Sequence, residues 1–428
     1  MEAKDTQAKA SNAADRDNKG DRVDNIDRVN RVSKVLNVSN DNHTRHPKHG
    51  WEVKKLGEVC VIQGGSTPKR TERLYWEDGT YPWFTIEDIR NQGRIITDTK
   101  QKITKIAWDK LRVFPKDTIL LCCTASIGEY AITHIPLTTN QQFNGLMIKD
   151  KSYLSPMYLM HFCATLKEKL SALSGKAIID FVSAEKIRQI PIPIPGIEEQ
   201  ERIVGELDCL SGVIEKKREQ LKLLDALAQS IFYDMFGDPI SNEKGFPVYK
   251  IDDIITFQGG SQPDKSHFEY EPTDDNIRLI QIRDYKSDKN ITYIPKSLAR
   301  RLCNAEDIMI GRYGPPIFQI LKGIEGAYNV ALMKAIPKQG NREFIRAFLK
   351  QKCLLEYLES MSKRTAGQDG IQMDKLKAYP FPLPPIELQD EFADKIEAIE
   401  KQKELLKRSI KEVETLFDAR MDYYLGDT

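Results

Sequence analysis

The chain has 428 residues, 40% of them hydrophobic and 30% charged, which is typical of a water-soluble protein with room for two or three domains. Its 64 basic and 63 acidic residues leave a net charge of +1, so bulk charge gives no support to nucleic-acid binding. Seven scattered cysteines without a CxxC pair, no apolar leader and no apolar run of about 20 residues predict a cytoplasmic protein with free thiols.

Residues 1–50 are rich in Asn, Asp, Lys, Arg and Ser, and the first Phe, Tyr or Trp is Trp51. Such a segment buries too little apolar area to offset the entropy lost on ordering, which predicts a disordered N-terminal extension. The alternative is a short helix that forms on a partner, because five apolar residues recur at helical spacing: Val23, Ile26, Val29, Val32 and Leu36.

The rest of the chain contains an internal repeat. Residues 50–68 (GWEVKKLGEVCVIQGGSTP) align without a gap with residues 245–263 (GFPVYKIDDIITFQGGSQP), and 8 of 19 positions are identical. Two similar mixed α/β domains are therefore predicted, at residues 51–196 and 241–385. Short β-branched and aromatic runs between turn signals predict strands at 58–63, 83–86, 117–122 and 143–148, and at 277–282, 305–310 and 329–336 in the second copy. Helical periodicity predicts helices at 156–173 and 343–360.

Each copy ends with a proline-rich segment and a long charged helix. Alternating prolines in residues 191–195 and 380–385 force an extended, polyproline-like backbone. Apolar residues then recur in alternating steps of four and three, which is the seam of a coiled coil about 39 residues long. The domain boundaries predicted for these helices are 197–240 and 386–428. We expect the helices to pair with each other antiparallel, with the seam lysines Lys217 and Lys403 extending outward or meeting Glu neighbours.

Catalytic motifs are missing. The sequence has no GxxxxGK[ST] phosphate loop, no HExxH metal site, no GxSxG nucleophile elbow and no Asn/Asp-Pro-Pro-aromatic motif of an amino-methyltransferase. His43, His46 and His49 could bind a metal weakly, but they lie in the polar extension, where a solvated tail is the alternative. The chain is therefore expected to bind a partner rather than catalyse a reaction, with no catalytic residues and no metal or cofactor of its own.

Three features could contact DNA, and two of them occur in both copies. The Gly-Gly-Ser loop combines flexible backbone, hydroxyls and cations, which are the usual phosphate partners, although Gly-Gly also serves ordinary turns. The runs at 83–88 and 279–284 share apolar residues but differ in polar ones, as readers of two base sequences would, or as drift on a solvated face would. Arg312 could bind guanine or phosphate through its bidentate fork, or form a surface salt bridge.

The candidate DNA-binding residues in the first copy are Gly64, Gly65, Ser66, Thr67, Lys69, Arg70, Trp83, Thr85, Ser126, Asn140 and Lys176. Those in the second copy are Gly259, Gly260, Ser261, Gln262, Lys265, Gln281, Arg283, Arg312, Tyr313 and Gln368.

The repeat, the WEVKKLGEV opening, the two Gln-Gly-Gly-Ser-x-Pro loops and the proline segment followed by Ile-Glu-Glu-Gln together resemble the specificity subunits of type I restriction-modification enzymes. The resemblance covers residues 51–428. It implies two target recognition domains, each reading one half of a bipartite, asymmetric double-stranded DNA target, and an antiparallel coiled coil that sets the spacer between the halves.

The resemblance also implies partners. Two methyltransferase (M) subunits would dock on the helices, and restriction (R) subunits would join them. No membrane partner is expected, because the sequence has no apolar run of about 20 residues. S-adenosylmethionine, ATP and Mg²⁺ would be used by these partners and not bound by this chain. The candidate subunit-interface residues at the helix starts are Glu198, Glu199, Gln200, Glu387 and Gln389. Leu388 stands in the second copy where the first has Glu199, which puts equal docking of the two M subunits in question.

An antiparallel helix pair would carry the recognition domains at opposite ends, related by an approximate two-fold axis. Half-sites of different sequence, about 10 bp apart centre to centre on one face of the duplex, are then expected. Two alternatives stay open on the sequence alone. One is a stand-alone two-domain scaffold that binds DNA or RNA, and the other is a purely structural coiled-coil adaptor.

Overall fold

The computed structural model describes residues 50–173, 181–313, 317–362 and 371–426. The backbone contacts divide the chain into two units. One unit runs to Lys217 and resumes at Ser409, and the other runs from Arg218 to Arg408. Each unit contains one copy of the repeat and parts of both long helices. The predicted N-terminal extension lies outside the described residues, apart from Gly50.

The first unit holds the elements of the first copy. In chain order they are β1 (Glu52–Lys55), α1 (Leu56–Val59), β2 (Cys60–Gly64), β3 (Tyr81–Phe84), α2 (Ile86–Gln92), β4 (Ile95–Ile96), β5 (Gln101–Ile103), α3 (Lys105–Trp108), β6 (Ile119–Cys122), β7 (Tyr130–Thr133), β8 (Thr138–Thr139), β9 (Phe143–Ile148), α4 (Pro156–Ala164), α5 (Lys167–Leu173), α6 (Ala184–Arg188), β10 (Pro191–Ile194) and the start of α7 (Ile197–Phe236). The main sheet has the strand order β2-β9-β6-β7-β4, and a smaller sheet has the order β5-β3-β8.

The second unit repeats this arrangement. Its elements are the end of α7, β11 (Val248–Lys250), α8 (Ile251–Ile254), β12 (Ile255–Gly259), β13 (Asn276–Ile280), β14 (Tyr293–Pro295), β15 (Leu302–Cys303), β16 (Ile308–Gly311), β17 (Gln319–Lys322), β18 (Gly326–Tyr328), β19 (Leu332–Pro337), α9 (Arg342–Leu349), α10 (Lys352–Ser362), α11 (Met373–Ala378), β20 (Pro380–Pro382) and α12 (Ile386–Leu425). The main sheet is β12-β19-β16-β17, which matches β2-β9-β6-β7 strand for strand, and the smaller sheet is β14-β13-β18-β15. The predicted pair of similar mixed α/β domains is confirmed.

Both units are built around an apolar core between the main sheet and the helices. In the first unit Leu121 and Leu146 of the sheet pack with Tyr158 of α4 and Leu207 of α7. In the second unit Ile308 and Ile310 pack with aromatic residues of the helices: Phe232, Phe344, Phe348 and Phe392. The sheet faces are apolar because alternate strand residues share a face, and the helices cover that face.

The predicted helices after the last sheet strand are each divided in two. The segment 156–173 forms α4 and α5, and Thr165, at the break, donates its hydroxyl to the Phe162 carbonyl (2.8 Å). The segment 343–360 forms α9 and α10, where Gln351 donates to the Ala347 carbonyl (3.0 Å). Both side chains add a hydrogen bond to a carbonyl in the last turn of the preceding helix, where the backbone N–H groups of Thr165 (3.0 Å) and Lys350 (3.2 Å) also donate. The predicted strands at 58–63 and 83–86 also shift, because one helical turn occupies Leu56–Val59 and α2 begins at Ile86.

The proline-rich segments are extended, as predicted, and they are also paired. Strand β10 lies antiparallel to β1, with Lys55 opposite Pro191, and β20 lies antiparallel to β11, with Lys250 opposite Pro380. An edge strand tolerates proline because only one of its sides needs N–H donors. Each proline segment therefore closes its own copy by pairing with the strand that opens that copy.

The two long helices run antiparallel within each unit. In the first unit, Arg202 contacts the Tyr424 hydroxyl (3.2 Å) and Glu206 pairs with Arg420 (3.0 Å). Along these contacting pairs, the residue number on α12 falls as the number on α7 rises, which means that the helices are antiparallel. Both helices have 40 residues. The second unit follows the same rule. Asp225 there pairs with Lys403 (2.7 Å), and the Phe232 and Phe392 rings lie 5.9 Å apart. Lys403 also pairs with Glu400 (2.7 Å), so this seam lysine meets acidic neighbours as expected.

Candidate nucleic-acid interface

The Gly-Gly-Ser loops have the same backbone geometry in both units. Gly65 donates its N–H to the Phe143 carbonyl (3.0 Å), and Ser66 donates to the Thr139 carbonyl (2.8 Å). In the second unit Gly260 donates to Leu332 (3.0 Å) and Ser261 to Tyr328 (3.0 Å), completing the same arrangement.

The second glycine of each loop is required by close packing of the backbone. A Cβ on Gly65 would lie 2.4 Å from the carbonyl oxygens of Thr139 and Asn140, and a Cβ on Gly260 would lie 2.0 Å from the Asn329 oxygen. No side chain fits at these distances, so Gly65 and Gly260 shape the loop and do not themselves present a DNA-binding group. A Cβ on Gly64 or Gly259 would make only ordinary van der Waals contacts, at 3.5 and 3.8 Å from the nearest atom.

The side chains that follow the glycines differ between the loops. Thr67 donates to the Gln141 side chain (2.5 Å), whereas Gln262 accepts from the Asn329 side chain (3.5 Å). Ser66 is exposed and Ser261 is half-buried. Asn140 uses its amide inside its own turn, accepting from the Gln142 N–H (2.9 Å). The structure places residues 64–67 and Asn140 close together, but the Asn140 side chain is hydrogen-bonded within its own turn.

Cations surround the first loop. Arg70 lies with its guanidinium carbon 4.1 Å from the centroid of the Trp76 ring and 4.5 Å from that of Trp83, and it donates to the Gln101 side chain (3.0 Å). Lys69 is exposed and its carbonyl accepts from the Trp76 indole (3.2 Å). Trp83 itself is only 1% exposed, so its predicted contact with DNA is wrong, because the ring is in the core beneath Arg70.

Two more cations near the loop were not found from the sequence. Arg112 donates to the Gly64 carbonyl (2.5 Å), and Lys110 donates to the Tyr75 hydroxyl (2.9 Å). Among the described residues, neither has a carboxylate as partner. The signal in the sequence was the run of basic residues from 100 to 112, which lies far from the loop along the chain.

The second loop has its own cations. Tyr328 lies between Arg301 and the loop. Its N–H donates to the Arg301 carbonyl (3.0 Å), and its carbonyl accepts from the Ser261 N–H. Arg300, Arg301 and the loop residue Lys265 are exposed, and within the described ranges none of them forms an ion pair. Arg300 and Arg301 were also missed by sequence reasoning.

Arg312 and Tyr313 follow strand β16 directly. Arg312 has a guanidinium nitrogen 3.8 Å from the Cβ position of Gly259, and donates to the Val330 carbonyl (3.4 Å). It also lies 5.3 Å from the centroid of the Tyr313 ring. Its predicted alternative, a surface salt bridge, has no described carboxylate partner. Arg312 is thus brought to the Gly-Gly-Ser loop, and most of its N–H donors have no partner among the described residues.

The polar residues after the second predicted strand have mixed roles. Thr85 and Gln281 both precede a short helix, and their N–H groups donate to Asp88 (2.7 Å) and Asp284 (3.3 Å). Thr85 is buried, so its proposed role as a base reader is wrong; it caps α2. Gln281 donates its side-chain amide to Thr292 (3.0 Å).

Arg283 keeps about half of its side chain exposed, while one nitrogen donates to Thr292 (3.0 Å). Ser126 lies on the loop after β6 and lines a cavity of about 540 Å³ together with Arg90, Glu129 and Lys167. Lys176 and Gln368, the remaining candidates, lie outside the described residues.

The candidate interface residues at the helix starts separate into two groups. Gln200 is fully buried, accepting from the Ser155 N–H (2.8 Å) and donating to the carbonyls of Tyr153 (2.9 Å) and Pro195 (2.8 Å). Gln389 is also buried and makes the equivalent bonds to Asn341 (2.8 Å) and Pro384 (2.7 Å). Both side chains hold the helix start inside their own unit, so their predicted contact with a partner is wrong.

Glu198 and Glu387 are exposed at the same helix starts, and Glu199 is half-buried and paired with Arg202 (2.7 Å). These three carboxylates are the members of the predicted set that a partner could reach.

The cysteines are free thiols, five of them buried. Burial raises the pKa of Cys60 to about 12 and that of Cys123 to about 11, so both thiols are protonated at neutral pH. Among the described residues, no group of three His, Cys, Asp or Glu side chains could hold a metal ion. No helix in the described ranges is both long and apolar enough to cross a membrane.

Comparison with known families gives two matches along the chain. Residues 48–223 and 243–415 each match the type I restriction modification DNA specificity domain. The two matched segments correspond to the two copies of the repeat.

Curated relatives carry related names. The chain is 33% identical over 239 residues to the type I restriction enzyme MjaIX specificity subunit of Methanocaldococcus jannaschii, covering 52% of this chain and 55% of that protein. It is 34% identical over 169 residues to the EcoprrI specificity subunit of Escherichia coli, covering 37% and 42%. These matches span about half the length of the relatives. With the EcoKI specificity subunit of Escherichia coli the identity is 21%, over 82% of each chain.

Solved structures share the fold. The S subunit of the type I restriction-modification system from M. genitalium matches with a TM-score of 0.54 and 13% identity, covering 91% of this chain and 98% of that one. A chain from a structure described as concerning complex assembly and conformational transition of the type I R-M system matches with a TM-score of 0.51 and 18% identity, covering 89% and 98%.

Proposed function

Because the chain belongs to the type I restriction-modification DNA specificity family, we propose that it supplies the DNA sequence specificity of such an enzyme in the cytoplasm. Each recognition domain reads one half of a bipartite, asymmetric target. The observation that carries this proposal is the loop geometry shared by the two units, with different polar side chains on it: Thr67 in one, Gln262 and Arg312 in the other.

The cations around both loops support DNA as the ligand. Phosphates are contacted by backbone N–H groups, hydroxyls and basic side chains, and bases by bidentate groups such as Arg and Gln. Lys69 and Arg70 in the first unit, and Arg300 and Arg301 in the second, are exposed and carry charge that no described carboxylate neutralises. A chain with a net charge of +1 can therefore still offer two local basic surfaces.

We infer that the long helices hold two methyltransferase subunits. Supporting features are Leu223 and Leu227 on α7, which are 63% and 47% exposed although they lie next to seam residues. Spaced four residues apart, they share one helix face, and exposed apolar residues of this kind favour a protein partner. Glu198 and Glu387 would add exposed charge at the rim of such an interface.

The chemistry is assigned to those partners. Methyl transfer from S-adenosylmethionine, and ATP- and Mg²⁺-dependent steps of restriction subunits, would take place on subunits other than this chain, which acts without catalysis of its own. The chain incubated with DNA and S-adenosylmethionine is expected to transfer no methyl groups until a matching methyltransferase subunit is added. Methylation by the pure chain would contradict this assignment.

Half-site variants test the reading role. With the methyltransferase present, Arg312→Ala is expected to change base preference in one half of the target, because a bidentate contact is worth about 1–3 kcal/mol. Ser66→Ala should affect only the other half. Equal loss at both halves from either substitution would mean that the residue supports the fold instead of reading DNA.

A further inference from the structure

The first unit carries a cation surface backed by aromatic rings. Arg70 lies against both Trp76 and Trp83, whose rings meet edge to face with centroids 5.0 Å apart. Lys110 lies 4.9 Å from the centroid of the Tyr75 ring. We call Arg70, Lys110 and the rings of Tyr75, Trp76 and Trp83 the aromatic-backed surface.

The rings hold these cations without neutralising them. A ring face attracts a cation electrostatically but takes up none of its charge, and a guanidinium stacked on a ring keeps its in-plane N–H groups available. Arg70 uses one of them for Gln101 (3.0 Å). The side chain is thus ordered before any ligand arrives, which removes much of the entropy cost of immobilising an arginine on binding.

The second unit has no tryptophan, and its cation nearest the loop, Arg312, lies 5.3 Å from the centroid of a single tyrosine ring, that of Tyr313. All four tryptophans of the chain lie at or before Trp108. The segment at 264–275, which follows the second Gly-Gly-Ser loop, carries five carboxylates against Lys265 and His267: Asp264, Glu269, Glu271, Asp274 and Asp275. The corresponding segment of the first unit, 69–80, carries three basic and three acidic residues, whereas basic residues follow further along the chain in both units, at 100–112 and at 278–301.

We propose that the aromatic-backed surface is a binding site for phosphodiester groups of the DNA backbone, and that the two recognition domains divide their work unequally. The first domain binds the duplex backbone through Arg70 and Lys110 independently of base sequence, and the second domain contributes less to this sequence-independent affinity. The inference rests on the proposed function, since it takes DNA as the ligand.

The salt dependence of DNA binding by the full-length chain tests the proposal. Affinity for a duplex of arbitrary sequence would be measured between about 50 and 200 mM salt, because each phosphate contact adds about 0.9 to the slope of log affinity against log salt. Arg70→Ala is expected to reduce that slope by about one and to weaken binding to every sequence alike. Trp76→Leu keeps the charge, so it should weaken binding severalfold with the slope unchanged.

Arg73→Ala is the matched control. Arg73 is on the same segment and 83% exposed, but it is paired with Glu77 (2.5 Å) and not stacked on the tryptophans. Its removal should change the slope by less than half as much as removal of Arg70. Equal slopes for the two alanine variants, or a change in half-site preference for Arg70→Ala at constant slope, would overturn the phosphate assignment. If the wild-type chain bound no duplex with or without a methyltransferase, the proposed function itself would fail.

Discussion

At the scale of single residues, the second glycine of each Gly-Gly-Ser loop is required because the surrounding backbone leaves no room for a side chain. A methyl group on Gly65 or Gly260 would overlap backbone carbonyl oxygens that cannot move without disturbing a sheet strand. The loops therefore keep their shape in both units while the residues after them change. This separation of loop shape from side-chain identity is what a repeated reader of different sequences needs.

Substitution of these glycines should destabilise the fold. Gly65→Ala and Gly260→Ala are each expected to cost about 1–3 kcal/mol from overpacking. Gly205→Ala is the control, because Gly205 lies exposed in α7 with nothing within 4 Å of its Cβ position. That change should stabilise by roughly 0.5–1 kcal/mol. Urea unfolding of the three variants gives the comparison, and an unaffected Gly260→Ala would contradict the packing argument.

The buried glutamines give a second prediction at this scale. Gln200→Ala leaves the Ser155 N–H and two carbonyls without partners, and each stranded group costs about 1–3 kcal/mol. Glu198→Ala, two residues away and exposed, should leave stability unchanged but weaken copurification with a methyltransferase subunit. Thermal melting separates the two variants; equal melting temperatures would show that the Gln200 bonds contribute nothing.

The sequence was enough to identify the Gly-Gly-Ser loops, but not to predict that the candidate residues Trp83 and Thr85 are buried. Gln-Gly-Gly-Ser-x-Pro is visible because it occurs twice, and Arg70 and Arg312 followed from residue type. Trp83 and Thr85 were misplaced because burial depends on strands that come later in the chain: β3 is covered by pairing with β8 and β5. Arg112 and Arg301 were missed for the same reason, since they reach the loops only through tertiary contacts.

At the scale of elements, the long helices were the most predictable part. The alternating steps of four and three repeat without a break along the seam, which predicts the helix length, and the equal spacing in the two copies predicts two helices of equal length. The breaks after α4 and α9 were not predictable from periodicity, because side chains of Thr165 and Gln351 cap helix ends within an otherwise helical pattern. The pairing of each proline segment was missed because its partner strand opens the copy, well over a hundred residues earlier.

The contact between the start of α7 and the end of α12 can be tested by a double-mutant cycle. Glu206 is nearly buried and pairs with Arg420, while the Tyr424 hydroxyl donates to it (2.9 Å). Glu206→Ala should cost roughly 2–3 kcal/mol, less than for a fully buried pair, because Arg420 keeps some exposure. Adding Arg420→Ala should cost less than the sum of the two single changes.

Lys395→Ala is the control for this cycle. Lys395 holds the position equivalent to Glu206 in the second copy, is exposed and, in the part of the chain that the structure describes, pairs only within its own helix, with Glu391 (2.5 Å). Its loss should cost no more than about 0.5 kcal/mol. Additive effects of Glu206→Ala and Arg420→Ala would contradict an antiparallel contact at this point.

At the scale of the whole molecule, the repeat carries the functional argument. Two units of one fold, each with a Gly-Gly-Ser loop and local cations, suit a target with two parts. Their differing side chains suit parts that differ in sequence. The sequence predicted this organisation because both copies are present in one chain, whereas the bases recognised depend on loop geometry and DNA shape, which residue types alone do not determine.

Lengthening both helices should lengthen the target. One heptad added at matched positions in α7 and α12 preserves the seam and adds about 10.5 Å of rod. This is roughly three base pairs at 3.4 Å each, so the spacer preferred by the methyltransferase complex should grow by about that amount. Methylation of a duplex series with graded spacers measures it. An unchanged preferred spacer would contradict the role of the helices as a ruler.

We propose that one chain directs methylation to a bipartite, asymmetric sequence. Mapping the methylated bases is the direct test. Genomic DNA would be methylated by the chain assembled with its methyltransferase subunit, and every modified base sequenced. We expect two half-sites of different sequence, separated by a spacer of fixed length, with about one helical turn between their centres. A continuous or palindromic target, or a spacer of freely varying length, would contradict it.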